Sequence, residues 1–328
     1  MPGAAILGTG LAVPAHTVSN DDLAGWLDTS DEWIVARTGI RTRRTVDGTD
    51  EATSDLATAA ARAALARAET AAEELDLVAV ATCSGDFVLP ATACVVQAAL
   101  GARRAAAFDL NAACSGFIYG LALAAGMLAT GAARRILLVG AEVFSRHVDW
   151  HDRTTAVLFG DGAGAVVLGP GDDVLGTSLG ADGTRVGDLL IPAGGSRRPV
   201  DEGALAERLH KIRMHGAEVF RAAVESMTAA LRDAAARAGV RPADLRWVFA
   251  HQANARIIAG VAERLALPLS RFPMNVDRYG NTGAATIPVL LAEAAAAGTL
   301  CPGDLIGLTA AGAGLTWAGA VLRWSGAA

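Results

Sequence analysis

The chain carries the same succession of sequence elements twice, which constrains its fold more than any other feature. Segment 76–82 (DLVAVAT), ending beside Cys83, resembles 244–250 (DLRWVFA), ending beside His251. Further on, 108–116 (FDLNAACSG) parallels 272–283 (FPMNVDRYGNTG), each an extended run followed by small residues that open a helix. Segment 135–140 (RILLVG) then matches 304–308 (DLIGL), and 163–166 and 318–321 both read AGAV. Chance matching in Ala-rich text weakens each echo singly but not their shared order. Two duplicated halves are expected, residues 1–172 and 173–328, joined near 170–173. Between the strand-like segments lie helix patterns. One covers 51–68, with Thr53 and Ser54 as candidate caps, and 117–128 reads as a buried helix. Another covers 216–238, where Phe220, Val224, Met227 and Leu231 fall on one face before Gly239 and Pro242 end it. Alternating strands and helices predict an α/β chain whose sheets are covered on both faces. Two copies would stack as layers.

The size of the chain supports such a stack. With 328 residues, 52% of them hydrophobic and 19% charged, it can bury roughly three quarters of its unfolded surface. A small disulfide scaffold and a disordered tail are excluded. The apolar share comes from Ala and Val more than from rings, and 37 glycines imply close packing through small side chains. The formal net charge of −6 argues against a nucleic-acid partner, while leaving room for a local Arg patch that meets an acidic protein. Cys83, Cys94, Cys114 and Cys301 stand apart, without zinc spacing or a disulfide framework, so no metal is expected and a reducing cytoplasm fits. The apolar runs are too short or too interrupted for a membrane span, so no membrane partner is expected.

Cys114 is the sharpest chemical candidate. It follows Asn111, Ala112 and Ala113 and precedes Ser115, Gly116 and an apolar helix, which places its sulfur at a helix N-terminus. Unpaired N–H groups there lower a thiol pKa and can hold an oxyanion. Position alone leaves a buried structural cysteine equally open. Cys83, Cys94 and Cys301 lack this context. His251 opens HQAN (251–254) at the end of a hydrophobic strand, where α/β folds collect catalytic groups, although a solvated loop His has the same local pattern. Asn281 lies in YGNTG (279–283), which also suits a plain turn. The duplication places Cys114 and Asn281 at equivalent points of the two halves. Gly8-Thr9-Gly10 does not complete a dinucleotide fingerprint, because Pro14 stands where a helix should follow. Gly160, Gly162 and Gly164 precede a strand-like run and read as close packing. Ser54, Ser115 and Ser145 lack a serine-hydrolase elbow.

Taken together, these residues resemble the β-ketoacyl-acyl-carrier-protein synthases III, condensing enzymes of the thiolase fold. The resemblance rests on TSDEWIVARTGIRTRR (29–44), NAACSGF (111–117), FGDGAGAVVL (159–168), HQAN, GNTGAAT (280–286) and GAGLTW (312–317). It implies a five-layered αβαβα sandwich of two similar halves, usually a cytoplasmic homodimer. It also implies that Cys114 is the nucleophile taking the acyl group from an acyl-CoA, with the N–H groups of Cys114 and Gly314 as oxyanion hole. His251 and Asn281 would then hold the thioester carbonyl of a malonyl-acyl carrier protein while CO2 leaves. CoA is handled as a substrate, with no resident cofactor. The resemblance assigns Trp33, Arg37, Arg153 and Gly216 to CoA binding, Leu89 and Phe87 to the acyl pocket, and Arg221, Arg256 and Arg264 to carrier-protein docking. Ala217 departs from the Asn common in the family, and Glu263 from a common basic residue. Leu89 stands where Phe is frequent, which hints at a starter longer or more branched than acetyl. The alternative is a relative that moves the acyl group to an acceptor without condensation, though such relatives often carry an acid at the position of Asn281.

Overall fold

Period-two alternation in the strands decides which layer each side chain enters. In a computed structural model, which describes residues 3–48 and 50–326, nine strands form two main sheets. The first contains β1 (Gly3–Ala12), β2 (Leu77–Ala81), β3 (Ala106–Leu110), β4 (Ile136–Glu142) and β5 (Gly162–Gly171), in the order β1-β5-β4-β2-β3. The second contains β6 (Val174–Ala181), β7 (Trp247–Ala250), β8 (Leu305–Gly312) and β9 (Thr316–Arg323), in the order β6-β9-β8-β7. Strand directions repeat as well. β1–β5 and β5–β4 are antiparallel and β4–β2 parallel, as are β6–β9, β9–β8 and β8–β7 in turn.

Odd and even positions of the strands face different helices. Leu77, Ala79, Ile136 and Leu138 point into a central core shared with Ile306, Leu308, Ala318 and Ala320 of the second sheet. Between the sheets lie α4 (Gly116–Ala129) and α7 (Thr286–Ala296). Val78, Val80, Leu137 and Val139 face the opposite way, against α2 (Thr53–Arg67) and α3 (Thr92–Leu100). On the far side, Val248 and Val321 pack against α5 (Gly216–Arg237) and α6 (Ala255–Leu265). The result is the five-layered αβαβα arrangement of a thiolase-like fold. Helix α5 ends where expected, with Gly239 at φ 70°.

The helices approach their sheets so closely that side chains are excluded at matching places. A Cβ on Gly8 of β1 would lie 2.5 Å from Ala68 N and 2.6 Å from Ala64 O of the α2 end. A Cβ on Gly176 of β6 would lie 2.5 Å from Ala234 O and 2.8 Å from Ala238 N of the α5 end.

The second sheet departs from the expected echo. Among the described residues 272–283 contribute no strand; the segment instead holds a short helix, Val276–Tyr279, ahead of the turn. Around the strand ends, a further apolar cluster joins Ile34 of α1 (Asp31–Thr38) to Phe144, Phe159 and Ile212. It roofs the region where the two halves meet.

Candidate active site

Two turns of the same design face each other at the start of the central helices. Residues Ala113–Ser115 form a 3-10 turn that leads into α4, and Gly283–Ala285 form one that leads into α7. The residue opening each turn has positive φ, 46° at Ala113 and 56° at Gly283. Two residues earlier stands an Asn whose Oδ1 accepts from that N–H. Asn111 does so at 3.2 Å and Asn281 at 2.9 Å. Asn281 is therefore the counterpart of Asn111, and Cys114 the counterpart of Ala284. The expected equivalence of Cys114 with Asn281 is thus corrected by three residues.

Cys114, His251, Asn281, Gly314 and Gly216 nevertheless line one cavity. Each is delivered by an element whose neighbours are tied down. Thr316 Oγ1 donates to Ala112 O at 2.8 Å and accepts from Ser115 Oγ at 2.8 Å, locking the GAGLTW loop onto the Cys114 turn. A Cβ on Gly312 would lie 2.6 Å from Cys114 N, so only glycine lets β8 come this close. His251 N donates to Thr309 O at 2.8 Å, at the end of β7. Gln252 and Asn254 also brace the backbone around it, and Asn254 lines the cavity as well. Gln252 Oε1 accepts from Asn275 N and Val276 N, and Asn254 caps α6 through Arg256 N at 2.8 Å while its Nδ2 donates to Arg37 O at 3.1 Å. Asn281 is held by its backbone, donating to Leu158 O at 2.8 Å and accepting from Gly160 N at 3.0 Å.

The electrostatics are set by burial. Cys114 is 8% exposed, and burial first, then the charge of Glu142, pushes its thiol up to about 12. The expected lowering at a helix N-terminus is overturned here, since desolvation of a buried thiolate outweighs the nearby N–H groups. Burial alone pulls His251 down to about 4, and its Nδ1 has no partner, so the ring is neutral at neutral pH. Two further titratable groups lie nearby, the buried Glu142 and the half-buried Cys83, and their local sequence marks neither of them. Burial raises Glu142 to about 7, and nothing in the local string GAEVF distinguishes a buried acid from a surface one.

The other expected residues fall around this centre. Two guanidinium groups lie over the Trp33 ring, Arg37 at 4.7 Å and Arg153 at 4.8 Å from its centroid. Arg153 is also paired with Asp28 at 3.5 Å. Arg221 extends from α5 and pairs with Glu218 at 3.2 Å, while Arg256 and Arg264 lie on the adjoining α6, Arg256 over the Phe220 ring. A second cavity also reaches Cys114, lined by Cys83, Val186, Leu190, Ile191 and Ile212. Phe87 and Leu89 line neither cavity. They stand 60% and 86% exposed on the chain surface, with Val88 between them at 99%. Among the described residues no cluster of His, Cys, Asp and Glu is placed to hold a metal ion, and no helix is long and apolar enough to cross a membrane.

Stacked duplicate sheets, with a cysteine opening one central helix and His and Asn converging on it, define a thiolase-fold protein. Residues 108–183 match the family model described as 3-oxoacyl-[acyl-carrier-protein (ACP)] synthase III, and 235–324 match its C-terminal model. The β-ketoacyl-[acyl-carrier-protein] synthase III of Roseiflexus castenholzii is 52% identical over 314 residues, covering 95% of each chain. The crystal structure of 3-oxoacyl-[acyl-carrier-protein] synthase III from Aquifex aeolicus superposes with a TM-score of 0.90 at 44% identity, covering 98% of this chain and 100% of that one. The priming β-ketosynthase of the R1128 polyketide pathway gives 0.92 at 34% identity, covering 100% and 98%. The chain belongs to the β-ketoacyl-acyl-carrier-protein synthase III family.

Proposed function

We propose that this enzyme joins an acyl-CoA starter to malonyl-acyl carrier protein with loss of CO2, giving a 3-oxoacyl carrier protein and CoA. The observation that carries this reading is the state of the two groups facing Cys114. Asn281 spends its Oδ1 on Gly283 N–H, which leaves Nδ2 as a fixed donor, and His251 is neutral with a ring N–H to give. Two neutral donors suit a developing thioester enolate. A general base for simple acyl transfer would call for an acid at the place of Asn281.

In the first step the Cys114 sulfur attacks the acyl-CoA carbonyl, and the N–H groups of Cys114 and Gly314 receive the oxyanion. The bond to the CoA sulfur then breaks, and the thiol proton ends on CoA. In the second step the malonyl thioester carbonyl accepts from His251 and Asn281. The electrons of the breaking bond to CO2 form an enolate, which attacks the acyl-Cys114 carbonyl and expels the Cys114 sulfur. Burial keeps water from quenching that enolate.

The CoA adenine is read as stacking on Trp33 with Arg153 on its other side and Arg37 toward the phosphates, and the pantetheine as passing Gly216. The acyl chain would occupy the cavity beyond Cys114, and the acidic carrier would dock on Arg221, Arg256 and Arg264. The open edge of β3, paired only to β2, together with exposed Phe87, Val88, Leu89 and Phe108, supports a homodimer that covers this surface. Within it, Leu89 and Phe87 would reach the partner's acyl cavity. Halves 1–172 and 173–328 share one central core, so they act as one body.

Two variants separate the steps. Cys114→Ser should abolish labelling by radioactive acyl-CoA, and persistent labelling would move the nucleophile elsewhere. His251→Ala should lower condensation by about two to four orders of magnitude while leaving Cys114 acylation largely intact. Equal loss of both steps would refute this division of labour.

A further inference from the structure

The turn that presents Cys114 opens on an alanine where its counterpart opens on a glycine. Ala113 stands at φ 46°, a left-handed conformation that strains a residue with a Cβ, whereas Gly283 takes φ 56° in the matching turn without that strain. Restraints from both sides hold Ala113 in place. On the carbonyl side, Thr316 Oγ1 lies 2.8 Å from Ala112 O and 3.2 Å from Ala113 O. A Cβ on Gly312 would come within 3.0 Å of Ala113 Cβ, so β8 walls off that direction. On the amide side, Asn111 Oδ1 accepts from Ala113 N at 3.2 Å. Asn111, Ala112, Ala113 and Cys114 all line the second cavity, so the side chain that grips the turn stands in the same space as the sulfur it presents.

We propose that Asn111 is a positioning residue for the acylation step: its Oδ1 pins Ala113 in the left-handed conformation that aims the Cys114 N–H at the thioester oxygen. The peptide that follows Ala113 carries that N–H, so relaxation of Ala113 to negative φ would re-aim the donor. Oxyanion stabilisation depends on donors fixed in place before the charge develops, which makes a re-aimed donor a loss of rate more than of binding. The two halves solve the same turn differently. In the second, glycine adopts the conformation unaided and the Asn281 bond at 2.9 Å adds to it. In the first, a methyl group opposes the conformation and the Asn111 bond offsets it. Asn111 thus acts through the turn, and the inference rests on the reading of Cys114 as the nucleophile with its own N–H in the oxyanion hole.

The test is single-turnover acylation of Cys114 by acetyl-CoA and by isobutyryl-CoA, followed by intact mass. Asn111→Ala should lower the maximal acylation rate by about ten- to a hundredfold, short of the roughly 10²–10³ lost when an oxyanion donor is removed outright, with little change in the half-saturating concentration. Adding Ala113→Gly to Asn111→Ala should restore most of that rate, because glycine reaches positive φ without the side-chain bond. Asn111→Ser keeps a weaker acceptor for the same N–H, so its loss should have the same sign and be smaller, and it should be reversed by Ala113→Gly as well. That pair decides the matter if Asn111→Ala does not fold. Alkylation of Cys114 by iodoacetamide, in which the sulfur displaces iodide and no oxyanion forms, should run in Asn111→Ala as in the parent. Acylation at the parent rate, an equal fall in acylation and alkylation, or no recovery with Ala113→Gly would each overturn the proposal. Absence of acylation in the parent itself would overturn the reading of Cys114, and this proposal with it.

Discussion

His251 shows how one residue's surroundings fix its chemistry. No acid compensates a positive charge there, so the folded ring protonates only near pH 4, against about 6.5 for a free imidazole. Between those values the unfolded chain binds the extra proton and the folded one does not, so His251 weakens folding as pH falls through that window and has no such effect above it. In single-turnover condensation from pre-acylated enzyme, the rate should hold from about pH 7.5 to about pH 5.5. A half-fall near pH 6.5 would show that His251 titrates as if exposed. At this scale the sequence offers Cys114, His251 and Asn281 as candidates, and the structure places all three around one cavity. The sequence misjudged the thiol, because local text shows a helix N-terminus but not the desolvation and the distant acid that outweigh it.

At the scale of elements, the paired glycines explain why helices of such low aromatic content pack so tightly. Gly8 and Gly176 sit in corresponding edge strands against the ends of α2 and α5, and the strings Leu7-Gly8-Thr9 and Leu175-Gly176-Thr177 form a further echo that only the structure made visible. Gly176→Val should cost about 1–3 kcal/mol, because its side chain meets helix backbone that cannot rotate away. Urea unfolding would check this, with Gly183→Ala, which faces open space, staying within about 0.5 kcal/mol of the parent. The helix over 216–237 was legible from periodicity and terminal punctuation and that over 53–67 from its Ala-rich text, but Thr53 and Ser54 are not its caps: Ala52 takes the N-cap position with no side-chain bond, and Thr53 Oγ1 donates instead to Ser84 O. Segment 272–283 was not legible, because an extended apolar start looks the same whether or not a neighbouring strand is there to pair with it. HQAN likewise reads as one motif, yet Gln252 serves the backbone alone, Asn254 both caps a helix and lines the cavity, and His251 faces the cavity.

At the scale of the whole molecule, the exposed segment Phe87, Val88 and Leu89 and the open edge of β3 point outward from the chain that carries them. If Leu89 reaches a partner's acyl cavity, Leu89→Phe should shift preference toward shorter starters by at least the 10-fold or so that a methylene or two commands in an apolar pocket. Competition between short and branched acyl-CoAs, read by mass of the acylated enzyme, measures this; an unchanged profile would rule the reach out. The sequence by itself determined the α/β class, the repeated order of elements and the residue types at the centre, because these are written in local periodicity and in motif spacing. The tertiary structure alone decided that Asn111 and not Cys114 is the counterpart of Asn281, that Glu142 lies buried against Thr82, Cys83 and Ser84, and that two cavities meet at Cys114. Those facts depend on which backbone groups are desolvated and paired once the sheets stack, and burial is a property of the assembled layers, not of neighbouring letters.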